Sequence, residues 1–266
     1  MTTVFFLYLG HFALGLLATL FLVPERAGVK YFKLCSAIAA SMMTAAISLA
    51  LRRYGLAGGS SAPGGSLYSI VLAAAVASLL FCVLYNRAAH FSWRQLLAPL
   101  LAASVAAGLA GVVLSTPADR RLLVAATDVT SILLLGAAAA AMILGHFYLV
   151  VLDLPIVALR RLTILFIVAL ALRAGVVTFA LLGPVAAGLE DARQVALGLW
   201  SPDGVFVWMR MLFGIAGPAS LLWFVWKTVE IRSTQSATGI LYVQLFLVMS
   251  GELLAKYLRV AAGLPL

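Results

Sequence analysis

Six ionisable side chains lie inside apolar stretches of this chain: His11, Asp128, His146, Arg173, Arg210 and Glu252. Such groups are costly in hydrocarbon and are candidates for function by default. A neutral imidazole can ligate haem iron, hydrogen-bond a carbonyl or exchange a proton. Arginine does not deprotonate, so Arg173 and Arg210 each need a counter-charge or carbonyl oxygens. Asp128 and Glu252 can supply that charge or hold a proton. Asp128 and His146 are 18 residues apart, which at about 100° per residue is about five whole turns of one helix face. Asp153 falls within about 20° of the same line. That stripe predicts that His146 faces protein or a cavity.

Three chemistries fit these residues at the level of sequence. His11 and His146 could ligate a b-type haem together, and a parallel repeat would put them within about 6 Å of the same depth. One of them could hydrogen-bond a quinone and exchange a proton with Asp128 or Asp153. Or both could bond across helices and serve packing. Arg173 lies too deep to reach the surface, and Asp128 or Glu252 is its expected partner. Arg210, about five residues into its helix, can snorkel to the interface. Glu252, Lys256 and Arg259 are spaced i, i+4, i+7, which predicts an ion-pair ladder beside the membrane. Gly214 and Gly217-Pro218 predict a kink, and Gln244 is a lone amide near mid-helix.

The elements that must position these groups are read from composition. Of 266 residues, 64% are hydrophobic and 10% are charged, against about 25% charged in soluble domains. Runs long enough to cross a bilayer fall at 4–23, 33–51, 67–86, 96–115, 124–152, 162–182, 205–226 and 237–258. The fold class is therefore all-α: a polytopic integral membrane protein of about eight transmembrane helices forming a single membrane domain over residues 1–266. Residues 189–200 carry apolar positions at helical spacing and end on Trp200, which predicts an amphipathic helix on the membrane surface. Residues 96–115 are small and aliphatic, and predict a helix buried in the bundle. The first run lacks a basic leader and a cleavage pattern, so it reads as a retained helix. Cys35 and Cys82 lie within apolar runs as small hydrophobes.

The net charge of +9 would suggest nucleic acid on a soluble protein. Here the basic residues flank helices, where lipid headgroups attract them, and no nucleic acid is expected. The odd connections hold Arg26, Lys30, Lys33, Arg87, Arg94, Arg160, Arg161, Lys227 and Arg232. The even ones and the last stretch hold Arg52, Arg53, Arg120, Arg121, Arg193, Lys256 and Arg259. That asymmetry places both termini outside the cytoplasm, with the chain in a bacterial inner membrane. The tetrapeptide Leu-Gly-His-Phe occurs at 9–12 and 144–147, which admits a 4+4 parallel repeat.

No nucleophile elbow, phosphate-binding loop, zinc-protease motif or aspartate-rich magnesium motif is present, and His90 sits in a basic connection. Independent catalysis on a soluble substrate is not expected. Eight helices with buried His, Asp, Arg and Glu are similar in architecture to the quinone-handling membrane subunits of the polysulfide-reductase type. The likeness rests on helix count and residue type, and no site residue carries over. The leading expectation is a membrane subunit of a respiratory or photosynthetic electron-transfer complex, anchoring other membrane or peripheral subunits and contributing to a haem or quinone site. The alternatives are a secondary transporter or proton-coupled permease, and a structural or assembly subunit.

Overall fold

The computed structural model describes residues 1–58, 62, 67–88, 91–150, 154, 156–186, 188, 198–200 and 204–266. Among these, eight long helices follow one another with no strand: α1 (Thr2–Thr19), α2 (Val29–Tyr54), α3 (Tyr68–Ala88), α4 (Phe91–Leu114), α5 (Arg121–Val150), α6 (Val157–Ala186), α7 (Gly204–Glu230) and α8 (Thr234–Ala261). Seven of them are long and apolar enough to cross a membrane. The remaining one, α4, carries Pro99, and its fully described part, Leu101–Leu114, is apolar. Helices close every backbone hydrogen bond within themselves, which is what hydrocarbon demands. The chain is thus a polytopic helical membrane bundle. Asp153, His90 and residues 189–197 of the expected surface helix lie outside the described residues. Trp200, just beyond, is exposed.

Helix ends follow local chemistry. α1 stops short of residue 23 because Leu20, Phe21 and Leu22 bond back three residues, to Leu17, Ala18 and Thr19, the tighter turn with which helices commonly finish. α8 ends at Gly263, whose φ of 68° lets the chain reverse. The amide of Leu264 then returns to the carbonyl of Leu258. This reversal brings residues 263–266 back against the bundle.

At the centre stands α5, the most enclosed span. It packs against α1, α6 and α8, and more lightly against α4 and α2. Its run Ala137–Ala141 is buried throughout, because small side chains let several neighbours approach at once. α1 crosses α5 at Gly15 and Gly136. A Cβ on either glycine would strike the backbone of the other helix. α2, α3 and α4 continue outward from α1 in chain order. Gly108 and Gly111 of α4 face Ala74 and Val71 of α3. α4 was expected inside the bundle, yet many of its described side chains are exposed. Its small residues mainly serve α3, with a lighter contact to α5, and several of its described side chains face outward.

α7 is interrupted as its glycines require. A π-turn over Leu212–Ala216 joins two α-helical parts. There Gly214 packs against Gly251 of α8, with the Arg210 guanidinium beside both. Pro218 follows, and its carbonyl accepts a hydrogen bond from Gln244 Nε2 at 3.0 Å. Turns of this kind are frequent at functional sites.

Candidate functional site

The ionisable groups of five helices converge beside the α1–α5 crossing. Glu252 of α8 is their hub. Its Oε1 accepts from Arg173 Nε at 2.9 Å and from Arg210 Nη2 at 2.8 Å. Its Oε2 accepts from Arg173 Nη2 at 3.0 Å and from Ser131 Oγ at 2.6 Å. Arg173 thus grips the carboxylate with two donors, a geometry lysine cannot reproduce. Arg173 is completed by the Thr127 carbonyl at 3.0 Å, Thr130 Oγ1 at 3.4 Å and the main-chain oxygen of Leu266 at 2.9 Å. Thr127 Oγ1 donates to the carbonyl of Pro265. The reversed segment after α8 therefore closes over Arg173.

A second carboxylate anchors the other side. Asp128 Oδ1 accepts from Arg259 Nη1 and faces Lys256 Nζ at 3.7 Å and His11 Nε2 at 3.8 Å. Asp128, Arg173, Arg210, Glu252 and Lys256 are all at most 1% exposed. Ser131 links the two centres. Its hydroxyl proton goes to Glu252, so at the 3.4 Å contact with His11 Nδ1 the serine oxygen accepts. That puts a proton on Nδ1 and turns Nε2 toward Asp128. His11 also lines a cavity of about 50 Å³ between α1, α2, α3 and α4, beside Ser78 and Ser104. It is the one side chain shared by this cavity and the charged cluster among the described residues.

Saturation is incomplete. Asp128 Oδ2, Lys256 Nζ, Arg210 Nε and Nη1, and Gln244 Oε1 are buried with no hydrogen-bond partner among the described residues. Most buried polar atoms in folded proteins have one, so each such atom needs an explanation. On side chains alone, Arg173, Arg210, Lys256 and Arg259 stand against Asp128 and Glu252, four positive charges against two negative.

Several sequence-based expectations are changed by this geometry. His146 was expected to face protein or a cavity, but it is exposed near the end of α5 and shares a 3.2 Å hydrogen bond with the Tyr242 hydroxyl. His11 meets α5 at Ser131, 15 residues before His146, or about 22 Å along the axis. α1 does run parallel to α5, but offset by about four turns from the repeat register. The two histidines therefore cannot ligate one iron, and the residues do not fit a bis-histidine haem. The cavity beside His11 has room for about one or two waters. Arg210 does not snorkel, since Glu252 holds it inside. Nor do Glu252, Lys256 and Arg259 form a ladder along α8; Glu252 turns to Arg173 of α6 and Arg210 of α7, and Lys256 and Arg259 both turn to Asp128 of α5. Arg173 takes Glu252 and not Asp128. Among the described residues no three His, Cys, Asp or Glu converge as a metal site would need. Ser131 was missed, although it follows Asp128 by three residues on the same face.

These features define the class of the protein: an integral membrane helical bundle with a buried, multi-helix charge cluster. Beyond that class, the chain matches no known family model, no curated protein and no solved structure.

Proposed function

We propose that this protein is a secondary transporter of the proton-coupled permease kind, and that the Asp128–Glu252 cluster is its coupling site. The carrying observation is the set of buried, unpartnered polar atoms on Lys256, Asp128 and Arg210. A subunit whose charges serve only packing has every reason to satisfy them, because an unmade buried bond costs about 1–3 kcal/mol. A site that must change its charge or partner during a cycle leaves some free. The π-turn of α7 beside Arg210 supports the same reading, since broken helices line the sites of many transporters. The electron-transfer expectation finds no comparable support, as the two histidines are separated by about four helical turns.

Orientation is part of the proposal. Lys256 and Arg259 engage Asp128 and not headgroups. Removing them from the loop comparison leaves nine basic residues on the odd connections against five on the even ones (seven less two). That strengthens the placement of both termini outside the cytoplasm of a bacterial inner membrane. The cluster then lies in the outer half of the bilayer.

The test is reconstitution into liposomes loaded with a pH-sensitive dye. A panel of small carboxylates, amino acids, sugars and inorganic cations is added outside. At least one solute is expected to drive proton movement with the wild-type chain and not with Glu252→Gln. If no solute does so, and the chain copurifies in fixed ratio with redox subunits, the permease reading is wrong.

A further inference from the structure

On the permease reading above, we propose that Lys256 is the group that binds and releases the coupled proton, and that His11 is its exchange partner toward the cavity between α1 and α2–α4. The assignment starts from which charges are already held. Glu252 is gripped by Arg173 and Arg210, and Asp128 by Arg259. None of those three arginines can give up its proton. Lys256 can, and it is the cluster cation whose nitrogen has no hydrogen-bond partner among the described residues while being 1% exposed. Its 3.7 Å separation from Asp128 Oδ1 is an ion-pair distance and too long for a hydrogen bond. Releasing one proton from Lys256 takes the cluster's side-chain charge from +2 to +1, closer to balance.

A path for that proton is laid out by the same carboxylate. Asp128 Oδ1 faces Lys256 Nζ on α8 and His11 Nε2 on α1 at nearly equal distances. Asp128 Oδ2 is unpartnered. The proton leaves the Lys256 ammonium, passes the Asp128 carboxylate and bonds to the Nε2 lone pair, leaving a neutral amine. Release to water in the cavity of about 50 Å³ whose wall His11 forms then requires the imidazolium to turn its Nε2–H from Asp128 toward that cavity, which returns the ring to its neutral form. The step moves one proton and no electrons. The charged groups facing this pair are Asp128 from α5, Arg173 from α6, and Glu252 and Arg259 from α8. Arg210 of α7 lies beyond Glu252, and Tyr8 of α1 is also near it. His11 bonds Ser131, whose hydroxyl is fixed on Glu252, so the two carboxylates feel each change on the imidazole.

The experiment needs no knowledge of the solute. Full-length protein in liposomes is adsorbed on a solid-supported membrane, and the transient current after a pH step is recorded. Wild type is expected to give a transient from protons entering and leaving the protein. Lys256→Met removes the carrier, and Lys256→Arg keeps the charge but cannot release it. Both are expected to abolish the transient. His11→Gln is expected to slow it. Should Lys256→Met fail to fold, Lys256→Arg decides alone, with its unfolding midpoint as the folding control. A wild-type transient retained in Lys256→Arg, or no transient in wild type, overturns the assignment. A Lys256-dependent transient without any solute-driven proton movement leaves the assignment standing and removes the permease reading. The reverse pattern does the opposite.

Discussion

The two sides of the α1–α5 crossing are built from similarly apolar helices and held together by different forces. On the α5–α8 side, two carboxylates and four cations tie α5, α6, α7 and α8 to one another. On the α2–α4 side, the described polar contact between α3 and α4 is a single hydroxyl pair, Ser78 with Ser104 at 2.9 Å. The rest is small-residue packing, as at Gly108 and Gly111. Van der Waals packing holds helices in a bilayer without requiring any particular chemistry. Buried ion pairs are poor evidence of stability, because desolvation offsets most of the attraction. The contrast supports the proposed coupling site: the charged side carries a desolvation cost that packing of the apolar kind does not require.

The largest expected effect comes from removing the hub. Glu252→Gln leaves Arg173 and Arg210 buried without their carboxylate, and breaking such a pair costs about 3–5 kcal/mol. The loss should appear as a lowered unfolding midpoint in detergent. A change as small as that for a serine substitution in α3 would erase the distinction between the two sides. A double-mutant cycle with Arg173→Gln should show strong non-additivity, because both changes act on one bidentate contact.

The seam itself comes next. Gly15→Val places side-chain carbon where the α5 backbone already lies, and overpacking of this kind costs about 1–3 kcal/mol. Because α1 carries His11, the same substitution should also perturb the pH-step transient. If Gly15→Val left both stability and transient intact, the α1–α5 contact would not be what registers His11 against the cluster.

The span pattern was readable in the sequence because hydrocarbon allows so few solutions: long apolar runs must be helices, and most were found to within a few residues. The need of Arg173 for an acid was equally readable, since a permanent charge at that depth has few alternatives. What failed was reasoning about position along an axis. Arg210 lies near a helix start, and Lys256 and Arg259 lie near a helix end, positions from which a side chain is expected to reach the surface. Where they go depends on neighbours that no single helix specifies: the π-turn beside which Arg210 meets Glu252 of α8, and Asp128 of α5, which draws Lys256 and Arg259 inward. The histidine pair failed for the same reason. Identical tetrapeptides fix local environment only where the helices share a register, and α1 is offset against α5.

The two histidines sharpen the comparison at smaller scale. His11→Ala removes a buried bond to Ser131 and is expected to cost about 1–2 kcal/mol, with loss of the normal transient. His146→Ala removes an exposed bond to Tyr242 and should cost about 0.5 kcal/mol or less, with the transient unchanged. Equal effects from both would restore the symmetry that the repeated Leu-Gly-His-Phe suggests.

The smallest effect is expected on the apolar side. Ser78 Oγ donates within its own helix to the Ala74 carbonyl, and Ser104 Oγ does the same to Leu101. Each hydroxyl is therefore already satisfied without its partner. Removing both, Ser78→Ala with Ser104→Ala, should cost about 0.6 kcal/mol, the typical worth of one hydrogen bond between membrane helices. Both serines also line the cavity beside His11, so the pair is not neutral for proton exchange. If water in that cavity accepts the His11 proton, the double variant should keep its unfolding midpoint within about 1 kcal/mol of wild type and yet slow the transient. A transient of unchanged rate would move the exit away from this cavity and leave Ser78 and Ser104 as packing residues, like the glycines around them.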